Sequence, residues 1–218
     1  MAFFRRLFID FDSFYASIEQ QDNLEYRGKP IIVVPVVSDH TCAIAASYQA
    51  KRLGVKTGTR VKTAKEKIPG LFVCGARPHR YVEVHNQILE VLSRHFEKIQ
   101  VLSIDEMACE IDEEDDFDCE MIAALLKLDF QEKLGEHISC SIGVARNVFL
   151  SKVAADMEKP NGFTALGQKA QEQLETLGLT DLPGIAERME ARLNKSKIKT
   201  VNDLYNMEEL KLKKAWGS

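Results

Sequence analysis

The order of apolar runs in this chain predicts an α+β fold, and three observations carry the prediction. Arg5 to Asp10 is a short apolar run of strand length that ends on a carboxylate. Much further on, Ile99–Leu102 and Met107–Ile111 are two more such runs, separated by four residues, as a hairpin requires. Helical spacing flanks that hairpin. Tyr81, Val84, Ile88, Val91, Leu92 and Phe96 precede it, and Met121, Ile122, Leu125 and Leu126 follow it, before a closing strand at Ile138–Ile142. Read in order, the core is β-(insertion)-αββαβ, the split βαβ or ferredoxin-like arrangement.

The elements follow from local signals. After the first strand, Asp12 and Ser13 have the composition of a helix N-cap, so a short helix is expected over Ser13–Gln20. Gly28-Lys29-Pro30 is a turn, and Ile31–Pro35 an apolar strand. Cys42–Ala46 reads as the next strand, leading into a helix from Ser47 to Leu53 that stops at Gly54. Val61–Ile68 is a basic helix ended by Pro69-Gly70, and Leu71–Cys74 a short strand. Residues 11–76 therefore form a small α/β insertion. His79–Phe96 is the core-facing helix, the hairpin follows, and Asn147–Met157 is a helix halted by Lys159-Pro160-Asn161-Gly162. Beyond residue 167 the pattern is helical and charged. There Leu182-Pro183-Gly184-Ile185-Ala186, followed by Ala191, Leu193, Ile198, Val201 and Leu204, reads as a helix-hairpin-helix. The backbone N–H groups of such a turn can hold a phosphate without reading sequence, although a Pro-Gly turn more often only joins two helices.

Composition bounds the chemistry. The 218 residues are 45% hydrophobic, enough for one or two cores. No apolar run reaches the roughly 20 residues of a membrane span, and Met1–Arg6 lacks a signal-peptide layout, so a cytoplasmic protein is expected. Cys42, Cys74, Cys109, Cys119 and Cys140 form no CxxC pair and read as free thiols. The net charge of −4 argues against coating nucleic acid by bulk charge. Its distribution says more. Seven acids and no base lie between Asp112 and Glu120, and seven bases against Glu66 alone lie between Lys51 and Lys67. A basic face beside an acidic loop suits phosphate binding on one side only.

Two acidic clusters stand out. Asp10 closes the first strand, and Asp105-Glu106 sits in the hairpin turn. Neighbouring side chains in a regular strand point to opposite faces, so Asp105 and Glu106 can share a ligand only where a turn re-aims them. A bare Asp-Glu pair usually just solvates a turn. The topology, however, sets the end of the first strand beside the hairpin, and three hard oxygen donors there suit Mg²⁺.

At these residues the chain resembles the Y-family translesion DNA polymerases, with the UmuC-like and DNA polymerase IV-like groups resembling it most. Ile9-Asp10-Phe11-Asp12-Ser13-Phe14-Tyr15-Ala16-Ser17-Ile18-Glu19 and Ser103-Ile104-Asp105-Glu106 are similar to that family's two metal-binding motifs. Ala45–Lys51, Ser141–Asn147 and Asp156–Gly162 follow in the family's order. The resemblance implies a catalytic palm (1–10 and 77–166), fingers (11–76) and a partial thumb (167–218), with no little finger. It implies two Mg²⁺ ions, with Mn²⁺ able to substitute, held by Asp10, the Phe11 carbonyl, Asp105 and Glu106. Asp12 is left as a cap. It implies triphosphate contacts from Tyr48, Lys51 and Lys159, a sugar gate at Tyr15, and DNA contacts at Gly184, Ile185 and Ala186. Lys51 stands where Arg is usual, and Arg52, also counted among the substrate-binding candidates, is next to it but some 100° round the helix. Ala45 and Gln49 depart from a common hydroxyl and a common Glu. The implied partners are primed DNA template and deoxynucleoside triphosphate, with a sliding clamp met through a C-terminal region absent from this sequence. The implied state is a monomer, bacterial and nucleoid-associated. Lys211–Trp216 still reads as helix when the sequence ends at Ser218, so a catalytic fragment is expected.

Three function classes fit these residues: a template-directed DNA polymerase, a non-catalytic polymerase-like accessory protein, and a two-metal nucleotide cyclase on the same palm. Retention of all three carboxylates speaks against the second. The basic insertion and the helix-hairpin-helix favour DNA over the third.

Overall fold

The structure, a computed structural model, describes residues 4–111 and 118–216. Its strands are β1 (Arg6–Phe11), β2 (Ile31–Val34), β3 (Ala45–Ala46), β4 (Phe72–Gly75), β5 (Ile99–Val101), β6 (Glu106–Glu110), β7 (Cys140–Ala145) and β8 (Phe163–Ala165). The helices are α1 (Phe14–Asp22), α2 (Tyr48–Arg52), α3 (Val61–Lys67), α4 (Pro78–Leu92), α5 (Cys119–Leu134), α6 (Val148–Met157), α7 (Ala170–Leu174), α8 (Glu187–Lys195), α9 (Val201–Tyr205) and α10 (Glu209–Trp216). The fold is α+β. The larger sheet has the order β5-β6-β1-β7-β8, with β1 in the middle and antiparallel to both neighbours. Its chain order β1, α4, β5, β6, α5, β7 is βαββαβ. The terminal strand β8 pairs parallel with β7. It escaped the sequence reading because three residues behind a Pro-Asn-Gly turn show no period.

Strand alternation sorts the side chains of β1 onto two faces. Leu7, Ile9 and Phe11 enter the main core with Val84, Ile88 and Val91 of α4 and Leu126 and Phe130 of α5. Phe8 points the other way, against Ala108 and Ala155 beneath α6. Helices thus cover both faces of the sheet. On α5, Leu126 is buried, whereas Met121 and Leu125 are 55% and 43% exposed. The inward positions are Cys119, Ala123, Leu126, Phe130 and Leu134. Asp118 supplies the signal for the start of this helix, accepting the N–H groups of Glu120 and Met121. Of the acidic run, Asp112 to Asp116 lie outside the described residues, as does Ser218.

Residues 31–75 form a second sheet, β3-β2-β4, whose buried face packs Ile32, Val34, Ala46, Ala50, Val61 and Ala64 together. A third cluster joins Leu179, Leu182, Ile185, Leu193, Ile198 and Val201 to Ala145, Val153 and Ala154. Ala191, part of the same sequence pattern, is exposed. Before Leu182 the chain makes one 3-10 turn, Leu179–Asp181, and the hairpin turn is completed by Gly184 at φ 87°. All five cysteines are free, and only Cys42 is exposed. No described helix is long and apolar enough to cross a membrane.

Helix α1 is tied to α4 by charge. Glu19 is 4% exposed and accepts from Arg77 Nε at 2.9 Å and from the Tyr81 hydroxyl at 2.9 Å. Asp22 accepts from Arg77 at 2.8 Å and from Arg80 Nε at 2.9 Å. Burial pushes the Asp22 carboxyl up, but the Arg80 and Arg77 guanidinium groups outweigh it and hold its pKa below the ordinary range. A depressed folded-state pKa gives stability present above the ordinary value of about 3.9 and lost as pH falls through the folded one. An Asp22→Asn variant should therefore lose less stability than the parent between about pH 5 and pH 2. Parallel acid limbs in thermal melts of the two proteins would show that this ion cluster does not stabilise the fold.

Candidate active site

The alternation that buries Phe8 beneath α6 also decides where Asp10 points. Asp10 lies two residues on, on the α6 side of the sheet, and is 5% exposed. Its Cα partner across the ladder is Glu106, the first residue of β6. Asp105 precedes it in the turn. There the Phe11 N–H donates to the Asp105 carbonyl at 3.0 Å, and the Ser103 hydroxyl donates to the Asp105 carboxylate at 2.6 Å.

Helix α6 lies directly on β7. Asn147 caps it, accepting the Leu150 N–H at 2.9 Å. At Gly143 of β7 a Cβ would fall 2.1 Å from the Ser151 carbonyl oxygen and 2.2 Å from the Ala155 nitrogen, so only glycine fits there. This close seat carries Lys152 over the carboxylates. The Lys152 ammonium is hydrogen-bonded to Asp10 Oδ2, and meets Glu106 Oε1 at 2.8 Å and Asp156 Oδ1 at 3.1 Å. Lys159 reaches Asp10 Oδ2 at 2.6 Å and Asp156 Oδ1 at 2.9 Å. Sequence reasoning passed over Lys152 and Asp156 as site residues. The signal was available: they are an i,i+4 pair and the only charged residues in the run Val148–Met157.

The charges shift accordingly. Burial works to raise the pKa of Asp10, but Lys159 and Lys152 hold it below the usual carboxylate range. Glu106 is pushed up, first by burial, with Asp10 and Asp105 adding repulsion against the pull of Lys152. Burial opposes the charge of Lys152, yet Asp10, Glu106 and Asp156 keep its pKa above that of an ordinary lysine.

Asp12 is not the helix cap that the sequence suggested. The N-cap is Ser13, in a left-handed conformation (φ 50°) with no side-chain cap bond. Asp12 is instead 1% exposed and gathers four donors. These are the hydroxyls of Tyr48 at 3.2 Å, Ser139 at 3.0 Å and Ser141 at 3.0 Å, and the Asn161 N–H at 2.8 Å. It joins β1, β7, the start of α2 and the loop after Lys159.

The remaining candidates divide. Tyr48, on α2 and capped by Ser47, faces this junction, and Lys51 lies 4.4 Å over its ring. Burial, then the nearby Asp12, Asp10 and Asp156 charges, raise the pKa of the Tyr48 hydroxyl. Burial and the neighbouring Lys159 lower that of Lys51. Tyr48, Lys51 and Lys159 thus share one side of Asp10. Arg52 is exposed on another face of α2 and does not join them. Phe14 is buried in the core, whereas Tyr15 is half-buried and stacks on Tyr81 at 4.5 Å. Burial and the Asp105 charge raise the pKa of Tyr15. The turn at Gly184, Ile185 and Ala186 lines a cleft with Lys152 and Asp156. Its Ile185 side chain is buried, and the Ile185 N–H donates to the Leu182 carbonyl at 3.1 Å.

Among the described residues no three acidic, His or Cys side chains come close enough to enclose one ion. The donor set nonetheless suits hard divalent cations. Asp10, Asp105 and Glu106 are all oxygen donors at one end of the sheet, and two ammonium groups already supply the positive charge that Asp10 calls for.

Comparison with known proteins bears on this arrangement. The model of the impB/mucB/samB family matches residues 9–156. The chain belongs to this family. The match starts one residue before Asp10 and ends on Asp156, so it spans both acidic clusters and Lys152. The chain is 33% identical over 219 residues to DNA polymerase IV of Saccharolobus solfataricus, covering 97% of this chain and 61% of the relative. It therefore spans about three fifths of that relative's length. The crystal structure of DinB from Sulfolobus solfataricus superposes with a TM-score of 0.86 at 32% identity, covering 98% of this chain and 63% of that one. The insertion ternary complex of Dbh DNA polymerase gives the same TM-score, 0.86, at 32% identity over 98% of this chain and 64% of that one.

Proposed function

We propose that this member of the family is a template-directed DNA polymerase of the error-prone translesion type. It adds deoxynucleotides to a primer 3′-hydroxyl. One observation carries the reading: Asp10 and Glu106 pair across β1 and β6, and Tyr48, Lys51 and Lys159 gather on one side of Asp10. A carboxylate cluster facing a hydroxyl and two ammonium groups suits an anionic triphosphate drawn against metal ligands. The relatives named DNA polymerase IV and the ternary complex of Dbh support the substrate pair of primed DNA and deoxynucleoside triphosphate.

The packed clusters support a division into palm (1–10 and 77–166), fingers (11–76) and thumb (167–218). The division is not strict: Phe14 and Ile18 of α1 and Ile31, Val33, Ala45 and Cys74 of the second sheet pack in the palm core, and Ala145, Val153 and Ala154 in the thumb cluster. Asp10, Asp105, Glu106 and the Phe11 carbonyl would hold two Mg²⁺ ions, or Mn²⁺. Such ions lower the pKa of the attacking hydroxyl and neutralise the leaving pyrophosphate. Tyr48, Lys51 and Lys159 bind the triphosphate, Lys51 as a point charge rather than a fork. Arg52, being exposed, adds only long-range positive potential. The backbone of Gly184–Ala186 and the N-terminus of α8 take a primer phosphate. The protein works as a monomer on nucleoid DNA in the bacterial cytoplasm.

A primer-extension assay tests this. Addition of deoxynucleotides that needs a template and divalent metal, and stops with chelator, is expected. No extension by the folded chain would overturn the reading.

Tyr15 should set sugar choice, since its ring is half-buried beside Asp105 and braced by Tyr81. Tyr15→Ala opens that space, and the ratio of ribo- to deoxynucleotide use should rise by about 10–200-fold, the range of a pocket contact worth about 1–3 kcal/mol. An unchanged ratio assigns Tyr15 to packing alone.

A further inference from the structure

The position of Lys152 goes beyond that reading while resting on it. Three carboxylates, those of Asp10, Glu106 and Asp156, surround its ammonium, which lies over the Phe8 ring at 5.4 Å from the ring centre. The side chain keeps 19% exposure, and the open side is the cleft it shares with Thr180, Asp181, Pro183 and Gly184. The Asp181 carboxylate is itself engaged by the Gly178 N–H at 2.8 Å. One lysine thus stands between the carboxylates that suit a divalent cation and the turn that suits a phosphate.

We propose that Lys152 is a positioning residue that exchanges partners. With no metal bound, its ammonium is the resident cation of the Asp10–Glu106–Asp156 cluster. When a divalent cation takes the Asp10 and Glu106 oxygens, the ammonium swings into the adjoining cleft and pairs with a backbone phosphate of the DNA held at Gly184–Ala186. Electrostatics favours the move. Two ammonium groups already share the Asp10 Oδ2, and a divalent ion added there would be repelled by both. A lysine stem with four rotatable bonds has an open route out, because its polar head already borders the cleft. Lys159 is placed differently: it shares Asp10 and Asp156 with Lys152 but faces the Tyr48–Lys51 side. The two lysines therefore leave in different directions, one toward the nucleotide and the other toward the strand.

The test uses the 218-residue chain, its Lys152→Met variant and its Lys152→Arg variant. Mg²⁺ or Mn²⁺ is titrated without DNA, and binding to a primer–template is then measured across a salt series with and without metal. Lys152→Met should bind the metal about tenfold more tightly, since its competitor is gone, a change of about 1.4 kcal/mol. With metal present its log–log salt slope should be shallower than the parent's by about 0.9, one phosphate contact, and without metal the slopes should agree. Lys152→Arg keeps the charge and should restore the slope, so a folding defect in Lys152→Met alone leaves the question decidable. An unchanged metal affinity in Lys152→Met, or a slope difference that is the same with and without metal, overturns the exchange. Failure of the parent chain to extend a primer would instead count against the polymerase reading, and the metal titration would still report on Lys152.

Discussion

An Asp105→Ala variant should lose metal-dependent primer extension by about 10³-fold or more while melting close to the parent. The magnitude follows from losing a metal ligand. Transition-state charge stabilisation worth several kcal/mol disappears, and each 1.4 kcal/mol is about tenfold in rate. The fold should survive because the Asp105 side chain has one described partner, the Ser103 hydroxyl two residues away. The bond that joins this turn to β1 uses the Asp105 carbonyl, which alanine keeps. Extension near the parental rate, from a variant shown to be folded, would remove Asp105 from the site.

Asp12→Ala should act in the opposite way, on the fold first. Four donors converge on this carboxylate, three hydroxyls and the Asn161 N–H. The hydroxyls can turn away, but the backbone N–H cannot. With about 1–3 kcal/mol for each buried group left unmade, a net loss of about 3 kcal/mol is expected. For a chain of this size that lowers the melting midpoint by about 6–12 °C. Asp12→Asn should recover only part of the loss, because its amide turns N–H groups toward donors. Activity should fall as well, since Tyr48 loses the acceptor that holds its hydroxyl. A melting midpoint unchanged in Asp12→Ala would mean that water replaces the carboxylate without cost.

These two residues mark how far the sequence could be read. Asp105 was legible because a hairpin turn between two apolar runs is a local signal, and the βαββαβ order says which strand end lies beside it. The role of Asp12 was not legible. Three of its four partners, Ser139, Ser141 and Asn161, lie more than a hundred residues away, and no local rule reports a long-range hydrogen bond. The same holds for Glu19 with Arg77, and for β8, which exists as a strand only because β7 offers it an edge. Lys152 is a middle case. Its i,i+4 spacing to Asp156 was visible, but its aim at Asp10 depends on which face of α6 meets the sheet. The exposure of Met121 and Leu125 shows that apolar spacing marks this helix without saying which side of it is buried, since the solvent-facing side of α5 is itself apolar.

Gly143 has a consequence for how the site can change. Backbone lies against backbone where α6 meets β7, so the absent side chain there works as a length gauge: it fixes how far Lys152 must stretch to reach across the sheet to Asp10. Any larger residue at this position would lift the helix away from the strand, and Lys152 with it. A strand position covered by helix backbone therefore governs how close the cation lies to the carboxylates. Substitutions in this sheet would be felt first as a loss of alignment between its two charged partners, before the core itself gave way.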